Sequence, residues 1–284
     1  MIQLILAGLM MSQVGPVGAT DSFTWGSYDG AEGSRRYKLY VPAATSGDRR
    51  LLVMLHGCTQ DPDDFARGTR MNEVAGSRGF TVLYPEQPVS ANPLKCWNWF
   101  ASANQKRDGG ETALLAAMIR KVVAEQKIDP SKVYIAGISA GGAMTAILGA
   151  TYPEMFAAMG IHSGIAYGLA TEMSQALVAM RTPKGDSVAL GQVVLTAMGE
   201  RKKVIPVLIM QGGADPSVNA ANAQLLAEQW RFVNSGKGVE MKIVDGLAHA
   251  WSGGSKEGTY TDEKGPNASA EFIDFFLSPG KKKQ

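Results

Sequence analysis

Polar and apolar residues alternate along 36–41 (RYKLYV), with Tyr37, Leu39 and Val41 on one side. That is the pattern of a strand with one covered face. Residues 51–55 (LLVML) are apolar without a break, as in a strand covered on both faces. A second short apolar run at 80–84 reads as a strand, and 64–77 between the two reads as a helix. The clearest helix is 108–127, where Leu115, Met118, Ile119 and Val122 recur at helical spacing. Asp108 and Glu111 stand three apart at its start, as in a capping box, and Asp129-Pro130 ends it. Further strands are expected at 133–136, 157–161, 204–210 and 239–244. Further helices are expected from Ala140, over 218–233 with Leu225, Leu226 and Trp230 on its apolar side, and over 268–277.

Strands and helices therefore alternate with short connections, which predicts an α/β fold with a mostly parallel central sheet flanked by helices. Residues 164–201 interrupt the rhythm and are too long for a plain connection, so they read as an inserted cap or lid. No Pro-, Ser- or Thr-rich linker divides the chain, and 20–284 is read as a single catalytic domain.

Composition narrows the classes. The chain has 284 residues, 45% hydrophobic and 19% charged, which is globular and not disordered. The net charge of +2 falls to −1 without the terminal Lys281, Lys282 and Lys283, so nucleic acid is not expected as a partner. No run approaches the roughly 20 apolar residues of a membrane span, and no membrane partner is expected. Residues 1–11 are apolar and Val17-Gly18-Ala19 supplies small residues for cleavage, so 1–19 reads as a signal peptide without its usual leading basic residue. A secreted or periplasmic protein follows. Cys58 and Cys96 are the two cysteines; export favours a disulfide between them over two buried thiols. They are too few for a metal framework.

Gly137-Ile138-Ser139-Ala140-Gly141 lies between an expected strand and an expected helix, the context of a G-x-S-x-G nucleophile elbow. A serine nucleophile needs a base, and the base needs an orienting acid. In a hydrolase of this kind the order is Ser, acid, His, and of His56, His162 and His249 only His249 leaves room for the acid. His56 and His162 are expected to satisfy backbone groups around the site. Asp215, in the loop after the 204–210 strand, is the expected acid; its alternative role is to cap the helix at 218. The oxyanion hole is expected from the amides of Ala140, at a helix N-terminus, and Cys58, in the loop after the 51–55 strand.

Six motifs occur together. They are Leu55-His56-Gly57-Cys58-Thr59-Gln60, Tyr84-Pro85-Glu86-Gln87, Cys96-Trp97-Asn98-Trp99-Phe100, Gly137-Ile138-Ser139-Ala140-Gly141-Gly142-Ala143-Met144, His162-Ser163-Gly164 and His249-Ala250-Trp251-Ser252-Gly253-Gly254. From about Tyr37 to Leu277 the chain resembles the poly(3-hydroxybutyrate) depolymerase family of α/β-hydrolase esterases. The resemblance implies Ser139, Asp215 and His249 as the triad, the Cys58 and Ala140 amides as the oxyanion hole, and a Cys58–Cys96 bridge.

The expectation is a secreted serine esterase that hydrolyses a hydroxyalkanoate polyester or its oligomers through an acyl-enzyme, without metal or organic cofactor. The alternatives are a feruloyl or acetylxylan esterase, or a polyaspartate-type polyamide hydrolase. A polymeric or oligomeric ester is the expected partner, and the protein is read as a monomer or homodimer. Trp97, Trp99 and Trp251 flank family motifs and are expected to line the cleft.

Overall fold

The computed structural model describes residues 20–43 and 49–278; the signal-peptide reading of 1–19 and the lysines at 281–283 lie outside them. The chain runs β1 (Ser22–Gly30), β2 (Gly33–Val41), β3 (Arg50–Leu55), α1 (Pro62–Thr69), α2 (Met71–Gly76), β4 (Phe80–Pro85), α3 (Gly110–Glu125), β5 (Val133–Ile138), α4 (Ala140–Thr151) and β6 (Ala158–His162). It continues through α5 (Met173–Arg181), α6 (Ser187–Met198), β7 (Val207–Gly212), α7 (Ala221–Val233), β8 (Val239–Val244), the short β9 (Trp251–Ser252) and β10 (Thr261–Asp262), and α8 (Ala268–Leu277).

Eight strands form one sheet in the order β1-β2-β4-β3-β5-β6-β7-β8. The pairs β1–β2 and β2–β4 are antiparallel, and every later pair is parallel. Alternation along each central strand feeds two cores. Leu51, Val53, Leu55, Val133 and Ile135 face α3, α4 and α7, whereas Leu52, Met54, Tyr134, Ala136 and Ile138 face α1, α2 and α8. Both faces are covered, which is why these strands read as continuous apolar runs. The sheet with its two helical layers is the α/β-hydrolase fold expected from the sequence.

Four local expectations are corrected. Residues 64–77 are two helices, because Arg70 takes a left-handed conformation at φ 52° between α1 and α2. The capping box at 108 is absent: Gly109 is the N-cap of α3, and Asp108 has φ 60° and accepts from the Tyr152 hydroxyl. Glu111 turns inward, where its carboxylate accepts from the Asn98 amide and side chain, both at 2.8 Å, and from the Gln87 side chain. The strand placed at 204–210 is shifted to Val207–Gly212, after Pro206, which has no N–H for the ladder. Finally, β1 was not anticipated, because it is a polar edge strand ordered by pairing with β2; Arg36 lies over the Trp25 ring.

Residues 164–201 carry α5 and α6. Helix α6 packs on α7 and α4. The C-terminal end of α5 is tied down by Asn219 and Asn222. The Met180 carbonyl accepts from the Asn219 amide at 2.8 Å and from Asn222 Nδ2 at 3.1 Å, and the Ala179 carbonyl from Asn222 Nδ2 at 3.0 Å.

Candidate active site

Ser139 sits between β5 and α4 with φ 57° and ψ −121°, a conformation that L-residues rarely hold without surrounding constraint. The constraint is close packing at both flanking glycines. A Cβ on Gly141 would meet the Leu55 carbonyl oxygen at 2.0 Å, and one on Gly137 would meet the Gly141 backbone at 2.5 Å. Glycine is thus required on either side for the turn to press against β3. The Ser139 amide donates to the His162 carbonyl at 3.0 Å, which fixes the turn to the end of β6.

The loops after β7 and β8 meet at Asp215 and His249. Hydrogen bonds from the Gly213 amide to the Val244 carbonyl (2.8 Å) and from the Ala214 amide to the Leu247 carbonyl (2.9 Å) zip the two loops together. His249 Nδ1 lies 2.7 Å from Asp215 Oδ2. Asp215 Oδ1 accepts from the Ser217 and Val218 amides, both at 2.8 Å, so the carboxylate also has the capping role considered for it. Gln211, at the end of β7, donates through Nε2 to Asp215 Oδ2 at 2.9 Å and to the Val218 carbonyl at 3.0 Å. Burial pushes the Asp215 carboxyl up. The hydrogen bond and charge of His249, with the Val218 and Ser217 amides, outweigh that and hold it below the ordinary aspartate value.

Ser139 and His249 line one cleft of about 160 Å³, together with Gly57, Cys58, Gln60, Ile138, Met180, Ser217 and Tyr260. Cys58 enters it from the loop after β3. In that loop the Gly57 amide donates to Gln60 Oε1 at 2.9 Å and the Thr59 amide to the Leu94 carbonyl at 2.6 Å. The Cys58 amide has no protein acceptor among the described residues. Ala140 is the first residue of α4, where an N–H has no intrahelical acceptor. Neither amide is committed to a protein acceptor, as the expected oxyanion donors require. Cys58 and Cys96 form a disulfide that ties this loop to the 88–98 segment.

His56 and His162 are both buried, but only His56 serves backbone groups; His162 Nδ1 lies 3.1 Å from Ser163 Oγ and no backbone group partners its ring. His56 Nδ1 lies 2.7 Å from the Gly57 carbonyl and Nε2 accepts the Gln87 amide at 3.1 Å; burial lowers its pKa to about 4. His162 stacks on Trp251, and burial with the positive charge of His249 lowers its pKa to about 3. The three tryptophans depart from expectation: none lines the Ser139 cleft. Trp97 and Trp251 are fully buried and Trp99 is buried. Their sequence position beside the motifs reflects support from beneath: Trp97 Nε1 donates to the His56 carbonyl at 3.1 Å, and Trp251 Nε1 to Ser269 Oγ at 3.1 Å. The rest of the cleft wall comes from Gln60, the last residue of the first motif, and from Met180, Ser217 and Tyr260, which no motif in the sequence singled out. Among the described residues no group of three His, Cys, Asp or Glu could hold a metal ion.

The family described as Esterase PHB depolymerase matches residues 35–239. The chain is 33% identical over 198 residues to poly(3-hydroxyalkanoate) depolymerase C of Paucimonas lemoignei, covering 67% of this chain and 46% of that protein. It is 31% identical over 206 residues to "Probable acetylxylan esterase A" of Aspergillus clavatus, covering 69% and 65%. The chain thus spans about half to two thirds of the length of these curated relatives. In fold it is similar to acetyl xylan esterase from Aspergillus awamori, with TM-score 0.71 and 21% identity over 80% of this chain and 94% of that one.

Proposed function

The chain belongs to the PHB depolymerase family of esterases, and on that premise we propose that it is an exported serine esterase hydrolysing a hydroxyalkanoate polyester or its oligomers. The observation that carries the chemistry is the 2.7 Å contact of Asp215 with His249, which lines the same cleft as Ser139. Ser139 Oγ attacks the ester carbonyl carbon while His249 Nε2 takes its proton. Asp215 holds the imidazole in its tautomer and stabilises its charged form. The Cys58 and Ala140 amides donate to the tetrahedral oxyanion. The intermediate collapses, and the alcohol leaves with the proton from His249. Water, deprotonated by the same imidazole, then cleaves the acyl-enzyme and returns Ser139.

The lining of the cleft supports a neutral, mostly aliphatic substrate. No Asp, Glu, Lys or Arg is among its residues, so nothing there pairs with a polyaspartate chain. Export is supported by the Cys58–Cys96 disulfide, which persists in oxidising compartments. Among the described residues no helix is long and apolar enough to cross a membrane.

The test is mass-spectrometric release of hydroxybutyrate from amorphous poly(3-hydroxybutyrate) by the wild type and by Ser139→Ala. Monomers or dimers are expected from the wild type, with turnover lower by about a million-fold in the variant. Cleavage of a simple aryl ester without polymer products would overturn the polyester assignment and leave the serine chemistry in place. A second reading would then lead, acetyl removal from xylan, favoured by the similarity to the Aspergillus clavatus protein. Acetate release from acetylated xylan tests it.

A further inference from the structure

We propose that α5 extends the Ser139 cleft as an apolar track that seats the repeat units flanking the scissile bond of a linear aliphatic ester chain. This rests on the polyester reading above. Met173, Leu177 and Met180 are spaced i, i+4, i+7, so they share one side of α5. Met180, at one end, lines the cleft with Ser139 and His249. Met173 and Leu177 continue outward from it and are 51% and 54% exposed. The adjoining side of α5 is turned into the protein through Ala176 and Ala179, both buried. Orientation of the stripe is thereby set by packing, and the Asn219 and Asn222 bonds to the last turn hold Met180 at the cleft. Seven residues of helix give a track of about 10 Å, longer than a single short repeat unit.

Two features identify the occupant by its chemistry. The only charged residue of α5 is Arg181 at its end, so the stripe offers nothing to an anionic polymer. It also carries no aromatic ring or hydroxyl on which a sugar could stack or hydrogen-bond. Exposed apolar side chains are moreover concentrated here. Met173, Leu177, Val178, Val188 and Val193 are five of the twelve large ones among the described residues, in a segment that is a small part of the chain. Apolar surface kept in water beside a cleft is stabilised when an apolar ligand covers it.

The experiment compares kcat/KM for a 3-hydroxybutyrate tetramer with that for p-nitrophenyl acetate, which reaches only the cleft. The variants are Met173→Ser/Leu177→Ser and, as control, Val204→Ser, an exposed apolar site just before β7 at the sheet edge away from Ser139. Loss of the covered apolar area should lower the tetramer-to-acetate ratio about tenfold or more in the double variant, mainly through KM, with the control keeping the wild-type ratio. Equal loss on both esters, or an unchanged ratio, would overturn the track while leaving the polyester reading intact. A wild type that cleaves the acetate and not the tetramer would overturn that reading, and the track with it.

Discussion

Asp215 reaches His249 with one carboxylate oxygen, at 2.7 Å, and holds the Ser217 and Val218 amides with the other. The His249 imidazole is therefore oriented by a group that is itself fixed to the start of the next segment. Asp215→Asn should keep the Oδ1 contacts, because the amide oxygen still accepts from both backbone N–H groups. Its –NH2 would face His249 Nδ1 and favour the wrong imidazole tautomer. A kcat lower by about four orders of magnitude is expected, with the thermal midpoint little changed. Ester turnover and a melting curve on one preparation check this; near-normal kcat would remove Asp215 from the reaction.

The Cys58–Cys96 bridge closes a loop across a separation of 38 residues. The chain-entropy relation gives about 4 kcal/mol for a loop of that size. It also restrains the segment that presents the Cys58 amide. Replacing both cysteines with Ala should lower the thermal midpoint and reduce kcat more than it raises KM. If stability falls while kcat stays constant, the bridge has no part in holding the oxyanion donor.

Glu111 ties the 87–98 segment to α3 through Asn98 and Gln87. Gln87 in turn donates its side chain to the Cys96 carbonyl at 3.0 Å and its amide to His56. Glu111→Ala would leave these buried donors without their acceptor, at a cost of about 3 kcal/mol or more. Glu111→Gln keeps one acceptor oxygen and should cost less. Urea denaturation of the two variants gives the order; equal stability to wild type in both would show that the network contributes nothing.

His56 and His162 have pKa values lowered to about 4 and about 3 by burial, against about 6.5 in an unfolded chain. Below pH 6.5 the unfolded chain binds protons that the folded one refuses. Their contribution is therefore complete above pH 6.5 and is lost as pH falls toward 4, at about 1.4 kcal/mol per pH unit for each histidine. Urea midpoints at pH 7 and pH 5 measure the slope. His162→Phe retains a ring against Trp251 and should remove about half of it; an unchanged slope would assign the acid sensitivity elsewhere.

The unbroken apolar runs at 51–55 and 133–136 made the buried parallel strands legible, because each of their faces meets its own helical layer. The elbow at Ser139 was legible because only glycine fits at 137 and 141. Chain order singled out His249, since the fold leaves one histidine late enough, and the loop after the 204–210 run singled out Asp215. Local chemistry was less informative where long-range partners compete for a side chain. Glu111 had the spacing of a cap, and three donors from the 87–98 segment drew it inward instead. The tryptophans stood beside the motifs, yet their indole N–H groups found partners beneath the site, the His56 carbonyl and Ser269 Oγ.

By itself, then, the sequence determined the central strands of the sheet, the elbow and the triad candidates, because those depend on periodicity, glycine sterics and order along the chain. Only the tertiary structure decided what walls the cleft. Met180 comes from α5, Ser217 from the loop after β7 and Tyr260 from beyond β9. No spacing links these residues. They meet because packing of α5 and the loops over the carboxyl edge of the sheet brings them there, and such contacts between distant segments leave no periodic trace in the chain.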